Sequence, residues 1–273
     1  MIRSLWSGAT GMIAQQTAVD TISNNIANIN TTGYKTNRTE FKSLLYQELQ
    51  AKTTSKNGDE KPIHSQVGLG VRNSSITTIF SQGSFYESTN NFAFAIDGQG
   101  FFGIKGADGK TYYTRNGNFN VSTYSGGRLA LTTSDGNPVL DSKGQPIIFR
   151  AGITATNISI SDDGTLLYPD EKNNLQSMGI QIGLYQFNNP EGLEKLSDSL
   201  YNVTAASGPV INEATTTARI QKSSVKQGYL EGSNVQLADE MVDLIVAQRA
   251  YEANSKVITT SDTMMEQANN LKR

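Results

Sequence analysis

The chain has 273 residues, enough for one large domain or two modest ones, with an apolar fraction of 37% and a mean hydropathy of −0.39. So low an apolar share predicts that part of the apolar surface is covered only on association. A formal net charge of −2 argues against a nucleic-acid or anionic-membrane partner, and the lack of cysteine excludes disulfides, thiolate metal sites and cysteine nucleophiles.

From the N-terminus, Ile2, Leu5, Ala9, Met12, Gln16, Val19, Ser23 and Ile26 alternate in steps of three and four, with Ile13, Ile22 and Ile29 beside them. This spacing predicts an amphipathic helix, ended at Asn30-Thr31-Thr32-Gly33 by a glycine free to take positive φ. Ser7, Gln15, Gln16 and Asp20 interrupt any signal-peptide core, so no cleaved signal is expected. No apolar run approaches the ~18 residues of a membrane span, so no membrane insertion is expected. Residues 48–65 are polar and read as an extended arm or loop.

Between residues 71 and 218 the pattern changes to short alternating runs separated by turns. Gly106-Ala107-Asp108-Gly109, Ser134-Asp135-Gly136-Asn137-Pro138, Asp141-Ser142-Lys143-Gly144 and Ser161-Asp162-Asp163-Gly164 are hairpin signals. They predict a central all-β domain of hairpins and bent sheets. Near the C-terminus, Leu237, Met241, Leu244, Gln248, Tyr251, Ser255, Ile258, Asp262 and Met265 again step by three and four, and Val257, Met264, Ala268 and Leu271 form a second stripe. With Asn234 as candidate N-cap, and no Pro or Gly after Ser233, one helix of about 35 residues is expected, roughly 50 Å long.

Neither helix can satisfy its stripe alone. An antiparallel pair within one subunit is one solution; assembly of both ends into a coiled-coil-like inner domain shared by many copies is the other. The fold class is therefore α+β. Residues 1–35 with 235–273 form a terminal helical domain, 36–70 with 219–234 a connector with the arm, and 71–218 a β-rich outer domain. Polar Gln16, Gln248, Ser255 and Asp262 within the stripes are candidates for fixing register.

Catalytic signals are thin. His64 is the only histidine and sits in the polar arm, so no Ser/His/Asp set can be built around it. Gly98-Gln99-Gly100 is followed by Phe101 and Phe102 with no helical pattern, which suits a tight turn into a strand and not a dinucleotide loop. Asp162-Asp163-Gly164 lacks calcium-loop spacing and a closing Glu. No enzyme, no metal and no cofactor are expected. A β-domain peptidoglycan-processing factor would need an acidic pair in a cleft, and no sequence feature designates one.

The run from Ser23 to Lys35, Ser-Asn-Asn-Ile-Ala-Asn-Ile-Asn-Thr-Thr-Gly-Tyr-Lys, closely resembles the signature of bacterial flagellar rod and hook axial proteins. Gln248-Arg249-Ala250-Tyr251-Glu252-Ala253-Asn254-Ser255-Lys256 resembles that family's other end, and Asp97-Gly98-Gln99-Gly100-Phe101-Phe102, Tyr113-Thr114-Arg115-Asn116-Gly117 and Gly228-Tyr229-Leu230-Glu231-Gly232-Ser233-Asn234-Val235 are further matches. The resemblance is weakest between residues 120 and 222. Length and the arm suit a distal rod subunit, with a proximal rod subunit the nearest alternative.

The resemblance implies a structural, non-enzymatic subunit of the flagellar basal body, self-assembling into a helical tube that carries torque and conducts export substrates. Its expected partners are further copies of itself, proximal rod proteins and the hook protein at its ends, and ring proteins around it. It implies passage through the flagellar type III apparatus. The candidate assembly interface is Leu5, Met12, Val19, Ile22, Ile26, Asn24, Asn25, Asn28, Leu237, Met241, Leu244, Gln248, Tyr251, Ile258 and Met265. Gly33 and Tyr34 are assigned to the connector.

Overall fold

The computed structural model describes residues 2–50, 65–124, 127–149, 158–169, 174–216 and 221–271. The chain is α+β and divides into two compact units. One holds residues 1–27, 37–78 and 236–273; the other holds 28–36 and 79–235. The strands at residues 224–227 and 229–231, placed in the connector by the sequence division, pair with strands of the β-rich unit.

In the first unit, helix α1 (Ile2–Ala27) and helix α2 (Leu237–Asn270) pack antiparallel. Ser4 faces Ser261 with hydroxyls 3.0 Å apart, and Asn25 Nδ2 donates to Glu240 Oε1 at 3.2 Å. Close approach depends on glycine: a Cβ on Gly8 would lie 3.0 Å from Ile258 Cγ1, and one on Gly11 2.8 Å from Asn254 Nδ2. Against α1, α2 buries or half-buries Glu240, Leu244, Ala247, Ala250, Asn254, Ser255, Ile258, Ser261 and Met265. Of the stripe read from the sequence, Leu244, Ser255, Ile258 and Met265 lie on this covered face, while Leu237, Met241, Gln248, Tyr251 and Asp262 are exposed. The glycines of α1 allow close contact there, and other apolar residues of both helices are left outside.

The helix ends also differ from expectation. Helix α1 stops at Ala27, six residues before Gly33, and α2 is preceded by Gln236 with no side-chain cap. The same unit holds β1 (Asn37–Ser43) paired with β4 (Val71–Thr78), and β2 (Tyr46–Gln50) paired with β3 (Ser65–Gly68), both antiparallel. Flanks of the predicted arm thus run out and back as a ribbon; arm residues 51–64, including His64, lie outside the described residues. No helix is long and apolar enough to cross a membrane among the described residues.

The second unit is built on an antiparallel sheet of β15 (Glu194–Lys195), β16 (Leu200–Asn202), β8 (Thr111–Thr114), β7 (Phe101–Lys105), β14 (Leu184–Gln186) and β17 (Ile211–Asn212), in that order. Successive side chains on a strand point to opposite faces, and this creates two apolar clusters. Phe102, Ile104 and Leu184 join Phe94, Phe119 and Leu131 on one face; Phe101, Tyr113, Tyr185 and Tyr201 meet Phe187 on the other. The second cluster is edge-to-face aromatic packing, with Tyr113 and Phe187 centroids 5.0 Å apart.

All four predicted turns form: Gly109, Gly136, Gly144 and Gly164 donate to Gly106, Thr133, Asp141 and Ser161 carbonyls respectively. Smaller antiparallel groups complete the unit. They are β9 (Asn120–Tyr124) with β10 (Arg128–Thr132), β11 (Ser159–Ile160) with β12 (Thr165–Pro169) and β13 (Leu175–Gln181), β6 (Phe94–Asp97) with β18 (Ser224–Gln227), and β5 (Phe85–Glu87) with β19 (Tyr229–Glu231).

The Ser4–Ser261 contact makes a direct test of the helix pair, since the chain has no cysteine of its own. A Ser4→Cys/Ser261→Cys variant should oxidise to a disulfide within one chain, seen as a faster-migrating monomer on a non-reducing gel. Covalent multimers in its place would show that the helices pair between copies.

A second test is alkaline. Burial, then neighbouring Tyr185, pushes the Tyr113 phenol up to about 12, and burial raises Tyr185 and Tyr201 as well. In the unfolded chain these phenols ionise near 10. Their contribution is therefore complete below about pH 10 and lost as pH rises through the folded values. Lys35 acts oppositely: burial lowers its pKa from 10.5, so its share of stability grows as pH rises towards 10.5 and is constant above. Melting temperature should fall steeply only above about pH 10.5, with phenolate absorbance of these tyrosines appearing at unfolding. Titration of every tyrosine near pH 10 with no loss of stability would contradict it.

Candidate functional site: the terminal helices and the connector

Among the fifteen candidate interface residues, the structure distinguishes two groups. Leu5, Met12, Val19, Ile22, Ile26, Asn28, Leu244, Ile258 and Met265 are half-buried and Asn25 is buried, so the chain itself already covers them in whole or part. Asn24, Leu237, Met241, Gln248 and Tyr251 are exposed.

Asn25 has a defined local task. Its Nδ2 donates to the Asn37 carbonyl at 2.8 Å and its Oδ1 accepts from the Asn37 amide at 3.0 Å, so one side-chain amide clamps the start of β1 to the end of α1. A short side-chain amide at a helix end thus serves nearby backbone groups. Glu240, which accepts from Asn25, has its carboxyl raised above the usual range. Burial is the main cause, opposed by the Asn25 bond and helped by Asp243 and Asp239.

Sequence reasoning reached only the C-terminal part of the exposed apolar face, the second stripe of Val257, Met264, Ala268 and Leu271. On α2, Val242, Ile245, Val246, Val257 and Met264 are exposed, Val246 at 60%, as is Leu271 just past its end. Residues 242, 246, 253, 257, 264 and 271 are separated by four or seven, a second helical stripe clear of the face packed on α1. The run of Val257, Met264 and Leu271 was its legible signal. On α1, Trp6 and Ile13 are exposed at 62% and 65%, seven residues apart, and the helix carries no charge besides Arg3 and Asp20. A groove of about 390 Å³ between the helices is lined by Gln16, Val19, Gln248, Tyr251 and Glu252.

In the β-rich unit, Gly33 takes φ +68°, and a Cβ there would stand 2.7 Å from the Arg115 carbonyl carbon, so no larger residue fits. Tyr34 is buried with the Lys195 ammonium 4.3 Å from its ring centroid. Asn234 ties segments together: Oδ1 accepts from the Thr36 amide at 2.7 Å, and Nδ2 donates to the Ile79 carbonyl at 2.9 Å. A cleft of about 170 Å³ includes Thr31, Asn116, Asp135 and Asp198 in its lining, and both carboxylates are exposed. No group of metal-ligating side chains occurs among the described residues.

Three segments match families of known proteins. Residues 5–35 match the family described as flagella basal body rod protein, 95–168 the flagellar hook protein FlgE/F/G D1 domain, and 226–271 the flagellar basal body rod FlgEFG protein C-terminal family. The chain is 42% identical to the flagellar basal-body rod protein FlgG of Borreliella burgdorferi across the full length of both. It is 42% identical to that of Agrobacterium fabrum over 96% of this chain and 97% of the relative, and 39% identical to that of Bacillus subtilis over all of both. These relatives are structural rod proteins, and no enzymatic family is indicated. With a relative this similar along the whole chain, and family matches covering the helical ends and the β-rich middle, this chain belongs to the flagellar rod and hook FlgE/F/G family as a structural subunit of the basal-body rod.

Proposed function

We propose that copies of this chain join into a helical tube, the distal rod, through the outward faces of α1 and α2. The observation that carries this reading is the unpartnered apolar surface on both helices, with Trp6 and Ile13 on one and Val242, Val246, Val257 and Met264 on the other. A solvated helix face carries charge; α1 has almost none. Leu237, Met241, Gln248 and Tyr251 extend the contact, while Leu5, Met12, Val19, Ile22, Ile26, Leu244, Ile258 and Met265 hold the pair together inside each copy as a coiled-coil-like inner domain. Unlike faces meeting head to tail generate an open helical filament wherever the rotation between copies does not close into a ring.

On this reading residues 1–35 and 235–273 make the inner tube, 71–218 the outer layer, and Gly33 and Tyr34 the connection. The tube carries torque and conducts export substrates, with proximal rod proteins and hook protein at its ends and ring proteins around it. Subunits reach the periplasmic side through the type III route. Support for the distal position comes from the FlgG relatives, at 38% identity or more along nearly the whole chain.

The test separates the two groups of helix residues. Val246→Asp/Val257→Asp places charges on exposed positions, where a folded monomer should lose no more than about 0.5 kcal/mol per site, yet polymer and swimming should be lost. Leu244→Asp should instead weaken the monomer itself, lowering its melting temperature. Wild-type polymer and swimming from the double variant would sink the proposal.

A further inference from the structure

One carboxylate gathers four separate parts of the chain. Glu231 Oε1 accepts from Lys35 Nζ at 2.6 Å and from the Gly83 amide at 3.0 Å; Oε2 accepts from Arg115 Nη1 at 3.3 Å; its backbone carbonyl accepts from the Gly33 amide at 2.8 Å. All three charged side chains are buried, at 0%, 1% and 2% exposure for Lys35, Glu231 and Arg115. Lys35 also donates to the Ser81 carbonyl at 2.7 Å, and Arg115 Nη2 to the Gly98 carbonyl at 2.8 Å, with its guanidinium 5.0 Å from the Phe101 ring centroid. Arg115 Nε has no hydrogen-bond partner among the described residues. Two cations thus share one bonded anion; buried Glu213 also attracts Arg115 electrostatically, while Lys35 has Glu231 alone.

We propose that the two straps leading to the chain ends, residues 31–36 and 229–235, dock on the β-rich unit only together, with Glu231 as the latch between them. The reason is charge. If the N-terminal strap docked first, Lys35 would be buried beside Arg115 without the one anion that pairs with it; if the C-terminal strap docked first, Glu231 would lack its closest cation. A buried charge that has lost its partner is strongly unfavourable, so each half-docked state is penalised and the complete one is not. Asn234, bonded to the Thr36 amide and hydroxyl, adds a second link between the same straps. Both chain ends are therefore held or released as one.

Native-state hydrogen exchange on the full chain tests this, because two reporter amides do not touch the altered side chains. The Gly232 amide donates to the Ser84 carbonyl, and the Gly33 amide to the Glu231 backbone carbonyl. Lys35→Met, a change in the N-terminal strap, should speed exchange at Gly232 by about tenfold or more, and Glu231→Gln should do the same at Gly33. Amides of the β7–β8 hairpin should stay protected in both. Loosening confined to the strap that carries the substitution would overturn the latch. Should Glu231→Gln unfold the unit outright, the triple variant Lys35→Met/Arg115→Met/Glu231→Met removes every charge at once. Recovered protection at Gly33 and Gly232 is the expected result, and continued fast exchange there would show that charge is not what couples the straps.

Discussion

The β-rich unit depends on the Glu231 carboxylate more than on any other single group. Its two oxygens accept from Lys35, Arg115 and the Gly83 amide, and no other ion pair among the described residues reaches either of those two buried cations. Removing one partner from such a cluster costs roughly 3–5 kcal/mol, a large part of the net stability of a domain. The residues around it follow from this need. Gly33 lies against the Arg115 backbone because a side chain would not fit, and Arg115 stacks on Phe101, which itself belongs to the aromatic cluster with Tyr113, Tyr185 and Tyr201. Charge pairing and core packing thus meet at Arg115, just past the end of β8.

A different constraint shapes the helical unit. Helices approach closely where one of them lacks side chains, and α1 supplies Gly8 and Gly11 where α2 brings Ile258 and Asn254, with Ser4 opposite Ser261. Such a seam takes in only part of the apolar residues of the two helices. Trp6, Ile13, Val246, Val257 and Met264 remain outside it. A monomeric protein would gain nothing from that arrangement, since a contiguous exposed apolar stripe lowers solubility; a subunit of a polymer uses it. The low overall apolar content and the exposed helical stripe are two views of the same economy.

Much of this was legible in the chain. The Asp-Gly and Lys-Gly turns formed where expected because a tight turn depends on a few adjacent residues and on glycine at positive φ. The long C-terminal helix needed only a run without Pro or Gly. Asn25 and Gly33, singled out as parts of a signature, occupy positions where short amides and missing side chains have local uses. Each of these is decided within a few residues of sequence.

What the sequence by itself determined was the α+β class, the turns, the helical ends and the family. Tertiary structure alone decided the rest. It set which face of α2 meets α1, because a helix with apolar residues at 244, 245 and 246 offers several faces and only the partner's glycines choose among them. It set the role of Asn234, which reads as a helix cap but bonds to Thr36 and Ile79 instead. It also brought Lys35, Arg115 and Glu231 together. Three charged residues up to 196 positions apart carry no periodic or turn signal, and the pairing of buried charges is a long-range requirement that no local pattern records.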